Sequence, residues 1–132
     1  MYFGTVSNTF KKTERLKSLN TFKALFAKGN STKNYPVRMV FIANQTPENT
    51  LVQVAFSVTK KRFKKAVDRN HIKRQMREAY RLNRNNILTD LQQTYAVLFI
   101  YLHHQTSDYG TLETAIKKCL HDLATFDKQE MK

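Results

Sequence analysis

An uninterrupted apolar run at residues 95–102 constrains the fold of this chain more than any other feature of the sequence. The run reads Tyr-Ala-Val-Leu-Phe-Ile-Tyr-Leu, which is the length of one strand and short for a helix. A strand with one solvated face would alternate apolar and polar residues, and this segment does not. The pattern therefore predicts a strand that is buried on both faces.

Two further strands are predicted before this run. Residues 37–43 and 51–58 are rich in β-branched and aromatic residues, and the segment between them, 44–50, carries Asn and Pro residues that favour a turn. This arrangement predicts an antiparallel hairpin. Residues 30–36 are expected to hold a further short edge strand.

Three segments have helical periodicity: residues 19–28, residues 66–84, and a C-terminal segment marked by Leu112, Ile116, Leu120 and Leu123. In the first segment Leu19, Phe22 and Phe26 recur at steps of three and four, and Ser18 is a candidate N-cap. Residues 86–93 either extend the second helix or form a further turn. Because helices and strands mix without a strict βαβ repeat, we predict an α+β sandwich with helices packed on one sheet.

The charge of the chain points to a polyanionic partner. Its 132 residues, of which 41% are apolar, suit a single domain, with a loose arm expected at 1–13 and a loose tail at 126–132. There are 23 Lys and Arg against 10 Asp and Glu, a formal net charge of +13. Nucleic acid is the usual partner for such a charge. An anionic membrane surface is the competing interpretation, but no apolar run approaches the ~20 residues of a spanning helix.

Cys119 is the single cysteine, and its spacing places it among the apolar positions of the last helix. We interpret it as a buried structural thiol, which fits a reducing cytoplasm. It forms no metal-ligand pattern with the four histidines, which are His71, His103, His104 and His121. No cluster of acidic residues has the spacing of a two-metal nuclease site.

Almost half of the positive charge lies in under a fifth of the chain. Only Asp68 and Glu78 oppose the eleven basic residues there, which are Lys60, Lys61, Arg62, Lys64, Lys65, Arg69, Lys73, Arg74, Arg77, Arg81 and Arg84. On a helical wheel the six from Arg69 onward share a broad face with Asn70, beside an apolar face. The alternatives to a phosphate-binding face are an ordinary solvated face and a membrane-surface helix, and the latter would need interfacial Trp or Phe.

Two stretches of this region resemble the signature of the bacterial ribonuclease P protein component. Residues 57–61 read Ser-Val-Thr-Lys-Lys, where the family has a strand ending in Ser-Val-x-Lys-Lys. Residues 66–78 read Ala-Val-Asp-Arg-Asn-His-Ile-Lys-Arg-Gln-Met-Arg-Glu, where the family opens a helix with Ala-Val-x-Arg-Asn-x-x-Lys-Arg-x-x-Arg-Glu. The similarity covers roughly residues 14–125, and it implies the protein subunit of an RNA enzyme that removes the 5′ leader from precursor tRNA.

The resemblance also implies the fold and the chemistry. The expected fold is a two-layer sandwich with about four strands in a mixed sheet, three helices and the order α-β-β-β-α-β-α. The expected partners are the catalytic RNA and precursor tRNA, without DNA or membrane. No catalytic residue or metal ligand is assigned to the protein, and Mg²⁺ is expected to be bound mainly by the RNA.

Two sets of RNA-binding residues follow from the resemblance. The catalytic RNA is expected at Lys60, Lys61, Lys64, Lys65, Arg69, Asn70, His71, Lys73, Arg74 and Arg77. The single-stranded leader is expected in a cleft between the sheet and the first helix, at Phe22, Phe26, Ser57, Thr59, Lys60 and Tyr101. By spacing alone Phe22 and Phe26 are better explained as core residues, and the resemblance makes the two roles about equally good explanations.

The chain departs from the family pattern at three places. Phe63, Lys64 and Lys65 stand where the family often has a glycine-containing loop, and His71 stands where arginine is common. The last strand ends without the usual basic residue. The alternative function is a small basic ribosomal protein or another structural RNA-binding protein. A DNA-binding regulator and a protein nuclease fit less well, because the former needs a helix-turn-helix and the latter an acidic cluster.

Overall fold

The computed structural model describes residues 14–44, 46 and 51–130, so the arm predicted at 1–13 lies outside the described residues. Its elements are α1 (Leu19–Lys28), β1 (Asn30–Asn34), β2 (Val37–Ala43), β3 (Val52–Ser57), α2 (Ala66–Ile87), β4 (Tyr95–Tyr101) and α3 (Tyr109–Glu130). The predicted α+β class, the element order and the four-stranded mixed sheet with three helices are confirmed.

The strand order in the sheet is β1-β2-β4-β3. β4 is antiparallel to β2 and parallel to β3, so the predicted hairpin between β2 and β3 is wrong. The reason is the apolar run itself: six of the seven residues of β4 are buried. A central position gives this strand a hydrogen-bonding neighbour on each side. If β2 and β3 had formed a hairpin, β4 could not lie between them.

Helices cover both faces of the sheet, so the fold has a third layer beyond the two that we predicted. On one face α2 and α3 pack against alternate strand residues that include Met39, Val97 and Phe99. On the other face α1 packs against Val40 and Leu98, in a smaller cluster. Each face of the sheet buries every second residue of β4, which explains why the whole run is apolar.

Helix α1 begins as predicted and turns a different side toward the sheet. Ser18 caps it by accepting a hydrogen bond from the Thr21 N–H at 3.3 Å. Thr21 and Leu25 are the buried residues, whereas Leu19 is exposed and Phe26 is 69% exposed. The apolar spacing of the sequence therefore marks a stripe that lies largely on the solvent side of this helix.

The loose tail predicted at 126–132 is wrong as far as residue 130, because α3 continues to Glu130. Phe126 packs against the core, and Asp127 is buried. The Asp127 carboxylate accepts hydrogen bonds from the backbone N–H groups of Gln92 and Gln93, at 2.8 and 3.2 Å, and from the Tyr95 hydroxyl at 2.8 Å. The last turns of α3 thus stabilise the segment that leads into β4. Residues 131–132 lie outside the described residues.

Candidate nucleic-acid interface

The segment from Thr59 to Lys65, here called the lysine loop, joins β3 to α2. The backbone N–H groups of Arg62 and Phe63 donate to the Thr59 carbonyl at 3.3 and 3.2 Å, which folds the loop into a turn. Phe63 is buried, and its ring lies 5.9 Å from that of Tyr101. Phe63 therefore pins the loop to the core, while the five cations of the loop are exposed: Lys60, Lys61, Arg62, Lys64 and Lys65.

Arg69, in the first turns of α2, points back toward this loop. One of its terminal nitrogens, Nη1, donates to the carbonyl oxygens of Phe63 at 2.7 Å and of Lys64 at 3.0 Å. The side chain is half-buried. The guanidinium thus holds the C-terminal half of the lysine loop against the start of α2.

The predicted basic face of α2 is present over its first three turns. Asn70, His71 and Arg74 are exposed, and Lys73 and Arg77 are half-buried. The opposite side is buried in the core through Ile72, Met76, Ala79 and Tyr80. A helix with this division presents its cations on a rigid surface, because the buried side fixes its orientation.

Two arginines that the helical wheel placed on this face are engaged elsewhere. Arg84 is 7% exposed, forms an ion pair with Glu14 and lies over the Tyr80 ring at 5.6 Å. Arg81 pairs with Glu78, its Nε donating to the carboxylate at 3.1 Å. This hydrogen bond is the main cause that lowers the pKa of Glu78. The open basic surface therefore ends near Arg77.

Arg77 belongs to a cluster of like charges beside β3. Its guanidinium lies 5.8 Å from the centre of the Phe56 ring. Burial, and then the positive charges of Arg15 and Arg74, lower the pKa of Arg77. Arg15 lies near Arg77 because the segment before α1 runs along β3, where the Leu16 N–H donates to the Val54 carbonyl at 3.0 Å. Sequence reasoning missed Arg15, since no local pattern relates residues this far apart.

The face of the sheet that carries α1 has an open margin at the end of β3 and β4. Ser57, Ile100 and Arg38 stand side by side there, as the strand register requires. Arg38 is exposed, and Ser57 and Ile100 are half-buried. Phe22 packs on the same cluster from α1 and is also half-buried. This margin and the adjoining side of α1 are here called the α1 groove, with Phe22 on the helix, Ser57 on the sheet, and Thr59 and Lys60 exposed just beyond the strand.

Tyr101 does not belong to the α1 groove. It lies on the opposite face of β4, is 1% exposed and packs in the core with α2 and α3. Its hydroxyl donates to the Gln105 carbonyl at 2.6 Å and shares a hydrogen bond with Ser107 at 2.7 Å. Adjacent residues of a strand point to opposite faces, so Ile100 takes the place expected for Tyr101.

Cys119 is buried, as predicted, and burial raises its pKa to about 11. Within residues 14–44, 46 and 51–130, no three His, Cys, Asp or Glu residues come together in a group that could hold a metal ion. The helices described in this chain are too short or too polar to cross a membrane.

Comparison with known proteins identifies relatives over most of the chain. The family model described as Ribonuclease P matches residues 10–124. The ribonuclease P protein component of Porphyromonas gingivalis is 35% identical over 112 residues, covering 83% of this chain and 82% of its own length. That of Caldanaerobacter subterraneus is 30% identical over 121 residues, covering 91% and 97%.

Two solved structures share the fold. The RNase P protein of Staphylococcus aureus aligns with a TM-score of 0.67 at 22% identity, covering 86% of this chain and 97% of its own. The RNase P protein from Thermotoga maritima aligns with a TM-score of 0.67 at 24% identity, covering 83% and 96%.

Proposed function

Because the chain belongs to the ribonuclease P protein family, as the protein component of an endoribonuclease that processes tRNA, we propose that two of its surfaces bind two different RNAs. The lysine loop and the basic face of α2 bind the catalytic RNA. The α1 groove binds the single-stranded 5′ leader of precursor tRNA.

The observation that carries the proposal is the arrangement around the start of α2. Five exposed cations of the lysine loop stand at a helix N-terminus, where unpaired N–H groups and the helix dipole already favour phosphate. Lys73, Arg74 and Arg77 continue the positive surface along the helix. A structured RNA offers many closely spaced phosphates, and its binding relieves the repulsion among Arg15, Arg74 and Arg77.

Each predicted contact takes its role from this geometry. Lys60, Lys61, Lys64 and Lys65 bind phosphates, as do Lys73, Arg74 and Arg77. Asn70 and His71 are exposed beside them and bind a sugar or base edge. Arg69 positions the lysine loop, because its guanidinium is engaged by two backbone carbonyls.

The α1 groove suits a single strand. Phe26 is an exposed ring on which a base can stack, and Phe22, one turn earlier on α1, is half-buried against the sheet. Ser57, Thr59 and Lys60 supply hydrogen bonds and charge along the same margin. Arg38 adds a cation that sequence reasoning did not include.

Magnesium chemistry belongs to the RNA in this proposal. A surface with a formal net charge of +13 repels a free divalent cation, whereas RNA phosphates attract it. The protein screens phosphate repulsion and thereby favours the metal-bound fold of the RNA. A cytoplasmic location suits this role and the single buried thiol.

The test is the salt dependence of binding to the catalytic RNA. The double variant Lys73→Ala with Arg74→Ala should weaken binding and reduce the slope of log K against log salt by ~0.7 to 0.9 for each phosphate that the variant no longer binds. The matched control is the double variant Lys117→Ala with Lys128→Ala, which removes two exposed cations from α3 and should leave the slope unchanged. A weakened affinity of the α2 double variant with an unchanged slope contradicts phosphate binding by α2.

A further inference from the structure

A pair of aromatic rings stands at the same end of the sheet as the lysine loop. Tyr35 lies in the turn between β1 and β2, and His103 follows β4. The two segments are joined where the Leu102 N–H donates to the Pro36 carbonyl at 2.8 Å. Since β3 runs parallel to β4, the lysine loop leaves the sheet at this end as well.

The Tyr35 ring is held at the surface instead of packing inward. It is 60% exposed. Its hydroxyl is hydrogen-bonded to His103 Nδ1 at 2.6 Å, and the two rings meet edge to face with centroids 5.6 Å apart. The ring of His104 follows at 4.7 Å from that of His103. An exposed ring with a fixed orientation is suited to stacking, because little side-chain entropy remains to be lost.

A groove beside Tyr35 carries positive charge and hydrogen-bonding groups. It lies between the end of β1 and α3, with Ala115 at its lining, and its polar lining residues are Lys33, Asn34, Tyr35, Thr111, Thr114 and Lys118. The nearby Asp122 carboxylate already accepts hydrogen bonds from Thr32 and Asn34, each at 2.9 Å. An aromatic ring next to two lysines and two hydroxyls has the composition of a site for one nucleotide: a surface for the base and cations for the phosphate.

We propose that Tyr35, with Lys33 and Lys118, binds an unpaired nucleotide of the catalytic RNA. This inference rests on the proposed function and extends the catalytic-RNA surface around the end of the sheet. The catalytic RNA is favoured over the leader because the groove lies on the α3 side of the sheet. The α1 groove lies on the opposite face, and the lysine loop is at the same end.

The experiment measures the affinity of the full-length chain for the catalytic RNA without substrate. Tyr35→Ala should weaken binding by about 5- to 150-fold, the range expected when one base no longer stacks on a ring. Tyr35→Phe keeps the ring and removes only the hydroxyl that orients it, so it should weaken binding clearly less than Tyr35→Ala does. Lys118→Ala should reduce the salt slope by about 0.7, the value for one phosphate of a single strand.

Leu51→Ala is the control, since it removes another exposed apolar side chain, at the opposite end of the sheet. It should leave the affinity for the catalytic RNA unchanged. The proposal is overturned if Tyr35→Ala binds the catalytic RNA as the wild type does, if Tyr35→Phe weakens binding as much as Tyr35→Ala, or if only precursor tRNA binding changes. A failure of the proposed function is distinguishable, because then the α2 double variant would also bind like the wild type.

Discussion

Residues of the same type on α2 have different tasks, and the contacts of each side chain separate them. Arg69 donates to the carbonyls of Phe63 and Lys64, Arg74 points to solvent, and Arg84 is buried against Tyr80 and Glu14. One pattern of basic residues therefore contains a loop anchor, an open cation and a core residue. Their effects on RNA binding should differ accordingly.

The first prediction separates the anchor from the open cation without changing the charge. Arg69→Lys should weaken binding of the catalytic RNA by roughly fivefold, because one ammonium cannot reproduce the planar donor geometry and a hydrogen bond is worth about 1 kcal/mol. It should also speed tryptic cleavage within the lysine loop. Arg74→Lys keeps an exposed charge and should bind within about twofold of the wild type. Wild-type affinity and trypsin resistance in Arg69→Lys would contradict the anchoring role.

The second prediction concerns the ring of Phe26, which is exposed. Phe26→Ala should change the melting temperature little, because surface substitutions usually alter stability by less than about 0.5 kcal/mol. It should weaken holoenzyme binding of precursor tRNA by ~1–3 kcal/mol and leave mature tRNA unaffected. Phe22→Ala should lower the melting temperature as well, since Phe22 is half-buried. Equal effects on precursor and mature tRNA for Phe26→Ala would show that no leader base stacks there.

At the scale of single residues, the sequence predicts which segments form the candidate site, but it does not predict which face of the sheet each side chain occupies. The string of residues 57–78 identifies the lysine loop and the basic helix because it is local and specific. It cannot show that Tyr101 turns into the core while Ile100 faces α1, since a fully apolar strand has no polar residue to mark a face. It also cannot bring Arg15 to Arg77.

Single elements were predictable here because their signals are local. The bounds of α1 and β2 match the prediction, whereas the end of α3 does not. The last turns of α3 are stabilised by hydrogen bonds from Gln92, Gln93 and Tyr95 to Asp127, and these residues are distant from Asp127 in the sequence. The prediction that β2 pairs with β3 failed for the same reason, because strand order also depends on contacts between residues distant in the sequence. Proximity along the chain favours a hairpin of β2 with β3, whereas burial of β4 decides the order.

The third prediction tests how α1 joins the sheet, and it compares two glycines. At Gly29 the backbone is extended (φ −68°), and an added Cβ would lie 2.4 Å from the Leu25 carbonyl oxygen and 3.0 Å from Val40. Gly29→Ala should therefore lower the free energy of unfolding by about 1–3 kcal/mol. At Gly110 an added Cβ would meet only the Asp108 side chain, at 3.2 Å. Gly110→Ala should be neutral or stabilising by up to about 1 kcal/mol. Urea unfolding measures both, and equal effects would contradict the close packing at Gly29.

At the scale of the whole molecule, the fold separates two kinds of surface. The core elements hold the lysine loop and α2 on one side of β3, and α1 lies across the other face of the sheet. A net charge of +13 destabilises the free chain through self-repulsion, and a bound polyanion would offset this cost. In the proposed function the protein acts on the reaction by binding and screening, and the chemistry stays with the RNA.

Reconstitution of precursor tRNA cleavage tests this account most directly. The chain should produce no cleavage alone, with or without Mg²⁺. Together with the catalytic RNA of the same organism, it should lower the Mg²⁺ concentration needed for half-maximal cleavage at the leader junction. The Lys73→Ala, Arg74→Ala double variant should require more protein for the same effect. Cleavage by the protein after nuclease treatment and repurification, or an unchanged Mg²⁺ requirement at saturating protein, would contradict the account.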